Sequence, residues 1–259
     1  MDNQFIFSNN INAPGVKAIF TTRMDGDKKD PLKGFNLSFI NGVDANVITE
    51  NRAYLASYLG VKLDSLVIPV QRHTDKIAII TDPSNQSSIE VDALITSMKG
   101  IVLGVLVADC VPILVYDPGS NAIAVIHAGW RGTASGIMKK ALTIMEKEFN
   151  TSLSKTIISI GPSIRWCCYE VGEDVLNAIV EETGKINGYS REKGNGKYCL
   201  DLAKANQLQA ASLGVSNIWI SEECTSCYPE KYYSYRYYKG LTGRQGGFIG
   251  MTRKENRQC

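Results

Sequence analysis

Histidine is scarce in this chain, which has only two, His73 and His127, in 259 residues. Two imidazoles are too few for metal centres that need many histidine ligands, such as combined blue-copper and trinuclear copper centres. A broad excess of one charge is also missing, since 28 lysines and arginines against 26 aspartates and glutamates leave a net charge of +2. We therefore expect neither nucleic acid nor a membrane surface as a partner.

Long apolar segments are absent as well. The longest apolar run, residues 101–108, falls far short of the ~20 residues that a membrane helix requires. The first residues, MDNQFIFSNN, lack the basic region and apolar stretch of a signal peptide. Cysteine is odd in number, at seven, and Cys167 and Cys168 are adjacent, which suits a disulfide framework poorly. Reduced thiols fit this pattern, and we expect a cytoplasmic protein.

The chain is long enough to fold without help from a metal. A domain of this size buries roughly three quarters of its unfolded surface, and a hydrophobic content of 44% with 21% charged residues is ordinary for a globular protein. Any bound metal is therefore expected to be catalytic. No repeat, low-complexity block or composition shift divides the sequence, so we predict one domain over residues 1–259.

Hydrophobic periodicity predicts a mixture of strands and helices. The predicted strands cover residues 16–22, 66–70, 76–80, 101–108, 112–117, 122–128, 155–160 and 215–220. The predicted helices cover residues 47–60, 133–150, 171–184 and 201–214. The three apolar runs within residues 101–128 further predict adjacent strands in a buried sheet.

Two other segments have unusual compositions. Residues 184–198 are polar and glycine-rich, so we expect a surface loop. Residues 232–238, YYSYRYY, could stack purine or nucleic-acid bases. The β-propensity of tyrosine favours instead a strand whose alternate rings pack on the core.

Both histidines and one cysteine fall at the ends of predicted strands. Residues at strand ends can converge on one rim of a sheet, and neutral imidazole and thiolate are preferred ligands of zinc. His73, Cys110 and His127 are therefore a candidate three-ligand site. Two alternatives remain: hydrogen-bonded histidines beside a small buried cysteine, or a nucleophilic Cys110 thiolate with Asp109 orienting its partner.

Two further motifs have weaker chemical meaning. The sequence HAGWRG, residues 127–132, leads from a strand into a helix, and its backbone N–H groups and Arg131 could bind an anion. The same glycines equally fit a tight turn. Cys224 and Cys227 form a CxxC pair, but without a second pair or an adjoining histidine it is weak evidence for structural zinc or redox work.

These motifs together resemble the laccase-domain family. Its members have been called multicopper polyphenol oxidases, peptidoglycan editing factors and purine nucleoside phosphorylases with adenosine deaminase activity. The pair formed by ADCVP and HAGWRG is highly specific. The matching segments, in chain order, are FTTR, FNLS, ENR, QRH, ADCVPILVYD, HAGWRGT, GPSIRWCCYEVG, SYR and TGRQGGFI.

The resemblance implies an α+β (α/β) fold with mixed β-sheets layered between helices. It implies one zinc ion, with copper as the other candidate, on His73, Cys110 and His127. It also makes Arg23, Arg131 and Arg244 candidates for holding phosphate or polar substrate groups. The implied function is a purine nucleoside phosphorylase acting on adenosine, inosine and methylthioadenosine with inorganic phosphate, and with adenosine deaminase activity.

Three rival functions stay open at this point. Copper-dependent phenol oxidation is the first, although two histidines suit it poorly. Amide hydrolysis of peptidoglycan precursors could use the same metal site. A metal-stabilised binding module is the non-enzymatic alternative, which the size of the chain disfavours. In sequence detail the chain also departs from the family pattern, with MDGDKKDPLKG after TTR, Thr74 after QRH and Tyr237 after SYR.

Overall fold

The computed structural model describes residues 5–8, 10–40, 42–82, 89–184 and 188–252. Within these ranges the elements follow in the order β1 (Phe5–Phe7), β2 (Val16–Thr21), α1 (Ala45–Leu59), β3 (Leu66–Val67), β4 (Ile77–Ile79), β5 (Ala93–Thr96), β6 (Ile101–Val107), β7 (Val111–Asp117), β8 (Ala122–Ala128), α2 (Trp130–Ala134), α3 (Ile137–Phe149), β9 (Ile157–Ile160), β10 (Glu170–Gly172), α4 (Glu173–Thr183), β11 (Ser190–Gly194), β12 (Lys197–Leu200), α5 (Leu202–Ser212), β13 (Asn217–Ile220), α6 (Tyr235–Tyr238) and β14 (Gln245–Met251). None of the described helices has the length and hydropathy needed to cross a membrane.

The strands form three sheets. A five-stranded sheet has the order β1-β2-β14-β6-β3, a six-stranded sheet has the order β13-β9-β7-β8-β5-β4, and a small sheet has the order β10-β12-β11. Both large sheets are mixed, because β3 pairs with β6 and β13 pairs with β9 in parallel while their central pairs are antiparallel. This confirms the predicted α+β class with mixed sheets.

The two large sheets pack face to face between helices. Leu103 of one sheet and Leu114 and Val125 of the other share a core between the sheets. The opposite face of the six-stranded sheet packs on α3, α4 and α5, and α1 covers the outer face of the five-stranded sheet through Leu55 and Leu59. Because both faces of β7 and β8 are covered, all of their residues are buried. Burial on both faces explains why these two strands are continuous apolar runs in the sequence.

One of the three central runs lies in a different sheet from the other two. β6 pairs with β14 in the five-stranded sheet, whereas β7 pairs with β8 in the six-stranded sheet, so the prediction of three adjacent strands is wrong for the first. The chain crosses between the sheets at residues 108–110, where Asp109 adopts φ 85° in the left-handed region. This crossing places Cys110 at the end of the sandwich.

Two other predictions differ from the structure at glycines. The expected surface loop at residues 184–198 contains the exposed hairpin β11–β12, whose tight connection uses Gly194 and Gly196 at positive φ; its residues 185–187 lie outside the described ranges. The helix expected over 133–150 is divided into α2 and α3, because Gly136 takes a left-handed conformation. Each change occurs where a glycine permits a sharp bend.

The tyrosine-rich segment at 232–238 is not a strand. It ends in the short helix α6, whose N-cap Ser234 accepts a hydrogen bond from the backbone N–H of Tyr237. A buried carboxylate oxygen of Asp109 accepts the N–H of Arg236, 2.6 Å away. One local acceptor, Ser234, and one distant acceptor, Asp109, stabilise a helical turn and override the β-propensity of tyrosine.

Candidate metal centre and its pocket

The structure brings His73, Cys110 and His127 together at one end of the sheet sandwich. His73 lies between β3 and β4, Cys110 lies at the crossing from β6 to β7, and His127 lies near the end of β8. One ligand atom from each lies within 4.8 Å of the others. Cys110 Sγ is 3.8 Å from His73 Nε2, and the two imidazole centroids are 4.8 Å apart. Three donors from distant parts of the chain therefore face a common point.

A buried aspartate, Asp92, orients both histidines. Its Oδ1 lies 2.8 Å from His127 Nδ1, and since a carboxylate only accepts, Nδ1 carries the proton and Nε2 is left as the ligand atom. The same carboxylate accepts the backbone N–H groups of Arg72, His73 and Thr74. Burial raises the pKa of Asp92, but the hydrogen bonds from His127 and Thr74 outweigh it and keep the pKa well below its usual value. Asp92 is thus an ionised anchor for the centre.

The electrostatics of the centre favour a deprotonated cysteine. Burial raises the pKa of Cys110, but the charges and hydrogen bonds of His127 and His73 outweigh it and lower the pKa to about 6. Burial lowers the pKa of His127, whereas Cys110 and Asp92 raise it to about 9. Thiolate is the form that binds metals, and a metal bound by these residues would displace the imidazolium proton of His127. The donor set, two nitrogens and one sulfur, fits a catalytic zinc site with a fourth position for water or substrate.

Close packing and bent backbone hold these ligands in place. His73 has φ 58° and Asp109 has φ 85°, conformations that cost non-glycine residues roughly 1–3 kcal/mol. Thr225 Oγ1 and the Arg236 N–H both donate hydrogen bonds of 2.6 Å to the Asp109 carboxylate. These bonds support the left-handed conformation of Asp109. Asp109 therefore shapes the loop and is not shown as a partner for a nucleophile.

Gly129 of the HAGWRG motif lies against the ligands. A Cβ atom at this position would lie 3.0 Å from His73 Cδ2 and 3.1 Å from Cys110 Sγ. Its backbone has an extended φ of −75°, so the need for glycine comes from this close approach rather than from an unusual conformation. Close packing against His73 and Cys110, rather than a tight turn, therefore explains the glycine at this position of the motif.

A cavity of about 1050 Å³ opens onto the three ligands. This is at the upper end of the roughly 300–1,000 Å³ typical of small-molecule sites. Its walls combine cationic and aromatic side chains, and the residues of these two kinds are Arg52, Arg72, Arg131, Arg236, Arg244, Phe39, Trp130, Tyr169 and Tyr235. Such a lining can pair with anionic groups and stack on a planar ring.

The arginines are held by aromatic and backbone contacts. The Arg131 guanidinium lies 4.2 Å from the Trp130 ring centroid, and that of Arg236 lies 5.2 Å from the Tyr169 centroid. Arg244 donates to the carbonyls of Thr242 and Gly243. Burial lowers the pKa of Arg244, and the charges of Cys110 and Asp109 only partly offset this effect. Arg244 is therefore a cation within electrostatic reach of the metal ligands.

Comparison with known proteins identifies the family. A family model described as multi-copper polyphenol oxidoreductase laccase matches residues 17–252. The chain belongs to this family. This confirms the resemblance inferred from the ADCVP and HAGWRG motifs.

Members of the family have names that refer to nucleoside chemistry. A protein named purine nucleoside phosphorylase YlmD, from Geobacillus stearothermophilus, is 34% identical over 247 residues, covering 91% of this chain and 90% of that protein. A protein named adenosine deaminase RL5, from an unknown prokaryotic organism, is 37% identical over 251 residues, covering 93% and 95%. The crystal structure of the Geobacillus stearothermophilus YlmD matches with a TM-score of 0.87 at 33% identity, covering 97% of this chain and 100% of that one.

Arg23, which stands in the family's TTR motif, is not part of the pocket. Its side chain is fully buried and donates to the carbonyls of Lys33, Pro229 and Asp27. It also donates to the hydroxyl of Tyr238, 2.6 Å away. This guanidinium joins the loop after β2 to residues 229–238, so the expectation that Arg23 binds phosphate or substrate is corrected.

Several residues of the centre and its pocket were not predicted from the sequence. Asp92 gave no signal, because an aspartate before a strand is common and its contact with His127 depends on the pairing of β5 with β8. Arg52, Arg72 and Arg236 stand within the ENR, QRH and SYR segments, so the motifs contained a signal for them. Tyr169 follows the paired cysteines of GPSIRWCCYEVG.

Proposed function

We propose that this protein is a zinc-dependent purine nucleoside phosphorylase acting on adenosine, inosine and methylthioadenosine. One observation carries the proposal: a convergent His73, Cys110 and His127 centre opens into the same cavity as a group of arginines. The name of the YlmD relative supports phosphorolysis as the reaction. The cavity is large enough for a nucleoside together with inorganic phosphate.

Phosphorolysis makes two demands on the site. A phosphate oxygen forms a bond to the anomeric carbon of ribose, and the glycosidic bond breaks with its electron pair leaving on the purine, which gains a proton. The phosphate must be oriented, and the developing negative charge on the base must be stabilised. Arg131 and Arg244 are the candidates for orienting phosphate, because both line the cavity as cations.

The other wall residues suit the purine. Phe39 and Tyr235 are largely exposed in the cavity wall and offer ring faces for stacking on a base. Burial raises the pKa of Tyr169 far above its usual value, which keeps its hydroxyl protonated as a hydrogen-bond donor. His73, Cys110 and His127 would hold a zinc ion, which would supply Lewis-acid chemistry beside the purine.

Adenosine deamination is a second proposed activity of the same site. The observation that favours it is the relative named adenosine deaminase RL5, which is 37% identical over 93% of this chain. The reaction replaces the amino group at purine C6 with a water oxygen and releases ammonia. Binding of the purine in the same cavity would serve both reactions.

Copper-dependent phenol oxidation has less support than zinc chemistry. Within the described ranges, the clusters of three or more metal-ligating side chains are this centre and a group of four cysteines. With two histidines in the whole chain, a combined blue-copper and trinuclear arrangement lacks ligands. No feature of the cavity favours hydrolysis of peptidoglycan precursors specifically.

Product analysis with metal-defined protein tests the proposal. Wild type incubated with adenosine and phosphate should give adenine and ribose 1-phosphate in equal amounts, and omission of phosphate should stop their formation. Cys110→Ala should abolish both products, and Cys199→Ala, which changes a free cysteine outside either cluster, should retain them. The absence of these products, or wild-type activity in Cys110→Ala, would overturn the proposal. Turnover of a serine-containing muropeptide precursor without nucleoside turnover would support the amidase instead.

A further inference from the structure

Four cysteines form a second cluster, separate from the centre described above. Cys167 and Cys168 lie in the loop after β9, and Cys224 and Cys227 lie in the loop after β13. Their four sulfur atoms lie within 4.8 Å of one another. The single CxxC pair was weak evidence for structural zinc, because the sequence has no second CxxC pair. The structure brings the adjacent cysteines, Cys167 and Cys168, to this pair from a distant loop.

The spacing of the sulfur atoms suits one tetrahedral ion. Cys227 Sγ lies 3.5 Å from Cys167 Sγ and 3.3 Å from Cys168 Sγ. Four sulfurs at about 2.3 Å from a central zinc ion are about 3.8 Å apart. The two shortest of these sulfur–sulfur distances lie just below this value, and no pair of the four sulfur atoms is more than 4.8 Å apart. Small side-chain movements would therefore complete a tetrathiolate.

The surroundings of Cys224 stabilise a thiolate. The backbone N–H of Arg165 points at Cys224 Sγ from 3.4 Å. The N–H of Cys227 also donates to the carbonyl of Cys224, which closes the CxxC turn. Backbone donors around a sulfur favour its charged, metal-binding form.

Core packing does not account for this cluster. A free cysteine that serves as a small hydrophobic residue is normally buried. Here Cys167 and Cys227 are exposed, Cys168 is half-buried and only Cys224 is buried. Four converging thiols of which two face solvent are instead typical of a site that closes around a metal ion at the surface.

We propose that Cys167, Cys168, Cys224 and Cys227 bind a structural zinc ion as a four-cysteine site. All four ligands come from the protein, so the site is closed to substrate and its role is to join two loops. The binding of zinc at these four cysteines does not depend on the proposed nucleoside chemistry.

The loop that carries Cys167 and Cys168 lines the cavity through Ile164 and Tyr169, and the loop that carries Cys224 and Cys227 leads into Tyr235 and Arg236 of the cavity wall. Thr225, inside the CxxC turn, donates to the Asp109 carboxylate beside the metal centre. The Arg236 guanidinium, which lines the cavity, donates to the carbonyl of Cys168 at 3.0 Å. Ser163 forms a β-bridge with Cys224. The four-cysteine zinc would therefore brace the wall that carries Tyr169 and Arg236.

Zinc counting in a set of variants tests this site. Wild type purified with zinc should hold two zinc ions per chain by elemental mass spectrometry. The double variant Cys167→Ser/Cys227→Ser changes two exposed residues, so its core should fold, and it should retain one zinc ion. Cys110→Ala should also retain one, because it affects only the other centre. Cys199→Ser, the matched control outside both clusters, should retain two.

Thermal unfolding and thiol titration provide further readouts. The double variant should melt at a lower temperature than Cys199→Ser, because metal binding energy stabilises the fold. After denaturation in chelator without reductant, wild type should show all seven thiols. An unchanged zinc count in the double variant would overturn the proposal. So would iron with acid-labile sulfide at the cluster, or a count of five thiols, which means that two have formed a disulfide.

Discussion

His127 Nδ1 lies 2.8 Å from Asp92 Oδ1, and both side chains are buried, with 3% and 0% of their surface exposed. The same carboxylate binds the backbone of the loop that carries His73. A single acid therefore sets the ring orientation of one histidine and the loop position of the other. A metal centre built from widely separated residues depends on such a common anchor.

Replacing Asp92 should weaken metal binding. Asp92→Asn removes the charge that fixes the His127 proton on Nδ1, and we expect a loss of about 10–100-fold in zinc affinity. Competition against a chelator of known affinity measures this loss. Glu90→Gln is the matched control, because Glu90 is exposed and pairs with Arg72 on the surface. Equal zinc affinity in Asp92→Asn and wild type would show that the contact does not orient the ligand.

A methyl group at Gly129 should disturb the ligands directly. In Gly129→Ala the added carbon would lie 3.0 Å from the His73 ring and 3.1 Å from Cys110 Sγ, so one of the two must move. We expect weaker zinc binding and lower turnover in a chain that still folds. Gly119→Ala is the control, since its added carbon meets only Asp117 at ordinary contact distance, 3.5 Å. Identical zinc affinity in both variants would contradict the close-packing account.

Removal of a pocket arginine should affect phosphate more than nucleoside. Arg131→Ala or Arg244→Ala removes charged hydrogen bonds worth roughly 1.5–3 kcal/mol, which should raise the KM for phosphate by about 10–100-fold. Arg191→Ala is the control, because Arg191 stacks on Trp166 and does not line the cavity. Steady-state kinetics with phosphate varied at saturating adenosine measures the KM for phosphate in each variant. An unchanged KM for phosphate in both variants would remove these residues from the phosphate site.

The core between the sheets should dominate stability. Leu114 is fully buried there, and Leu114→Ala should lower the free energy of unfolding by about 2–5 kcal/mol. Leu241 is 56% exposed, so Leu241→Ala should change it by less than about 0.5 kcal/mol. Denaturant unfolding monitored by circular dichroism compares the two. Similar losses in both variants would mean that this core contributes little.

The sequence predicted local elements better than their arrangement. Continuous apolar runs marked β6, β7 and β8 because their residues are buried on both faces or nearly so. Their partition between two sheets depends on pairing with β14, more than a hundred residues away, and local periodicity contains no such information. The helix at 137–149 was predictable because its buried residues repeat at helical spacing. The turn at α6 was not, since the Asp109 acceptor comes from a distant loop.

The site was predictable to the extent that its residue types are rare. Two histidines and an ADC cysteine stood out in composition and motif. Asp92 and the second cysteine cluster did not, because their significance arises only when the sheets and loops come together. Arg23 shows the opposite error: a motif arginine was expected at the substrate, and the fold uses it to hold loops.

We propose that His73, Cys110 and His127 hold one zinc ion. Crystals of protein loaded with metal in the cell can be measured on both sides of the zinc and copper absorption edges. We expect one anomalous peak at this centre, in contact with all three side chains, that appears at the zinc edge and not at the copper edge. A copper signal, several metal peaks at the centre, or a zinc ion that fails to contact Cys110 would contradict it.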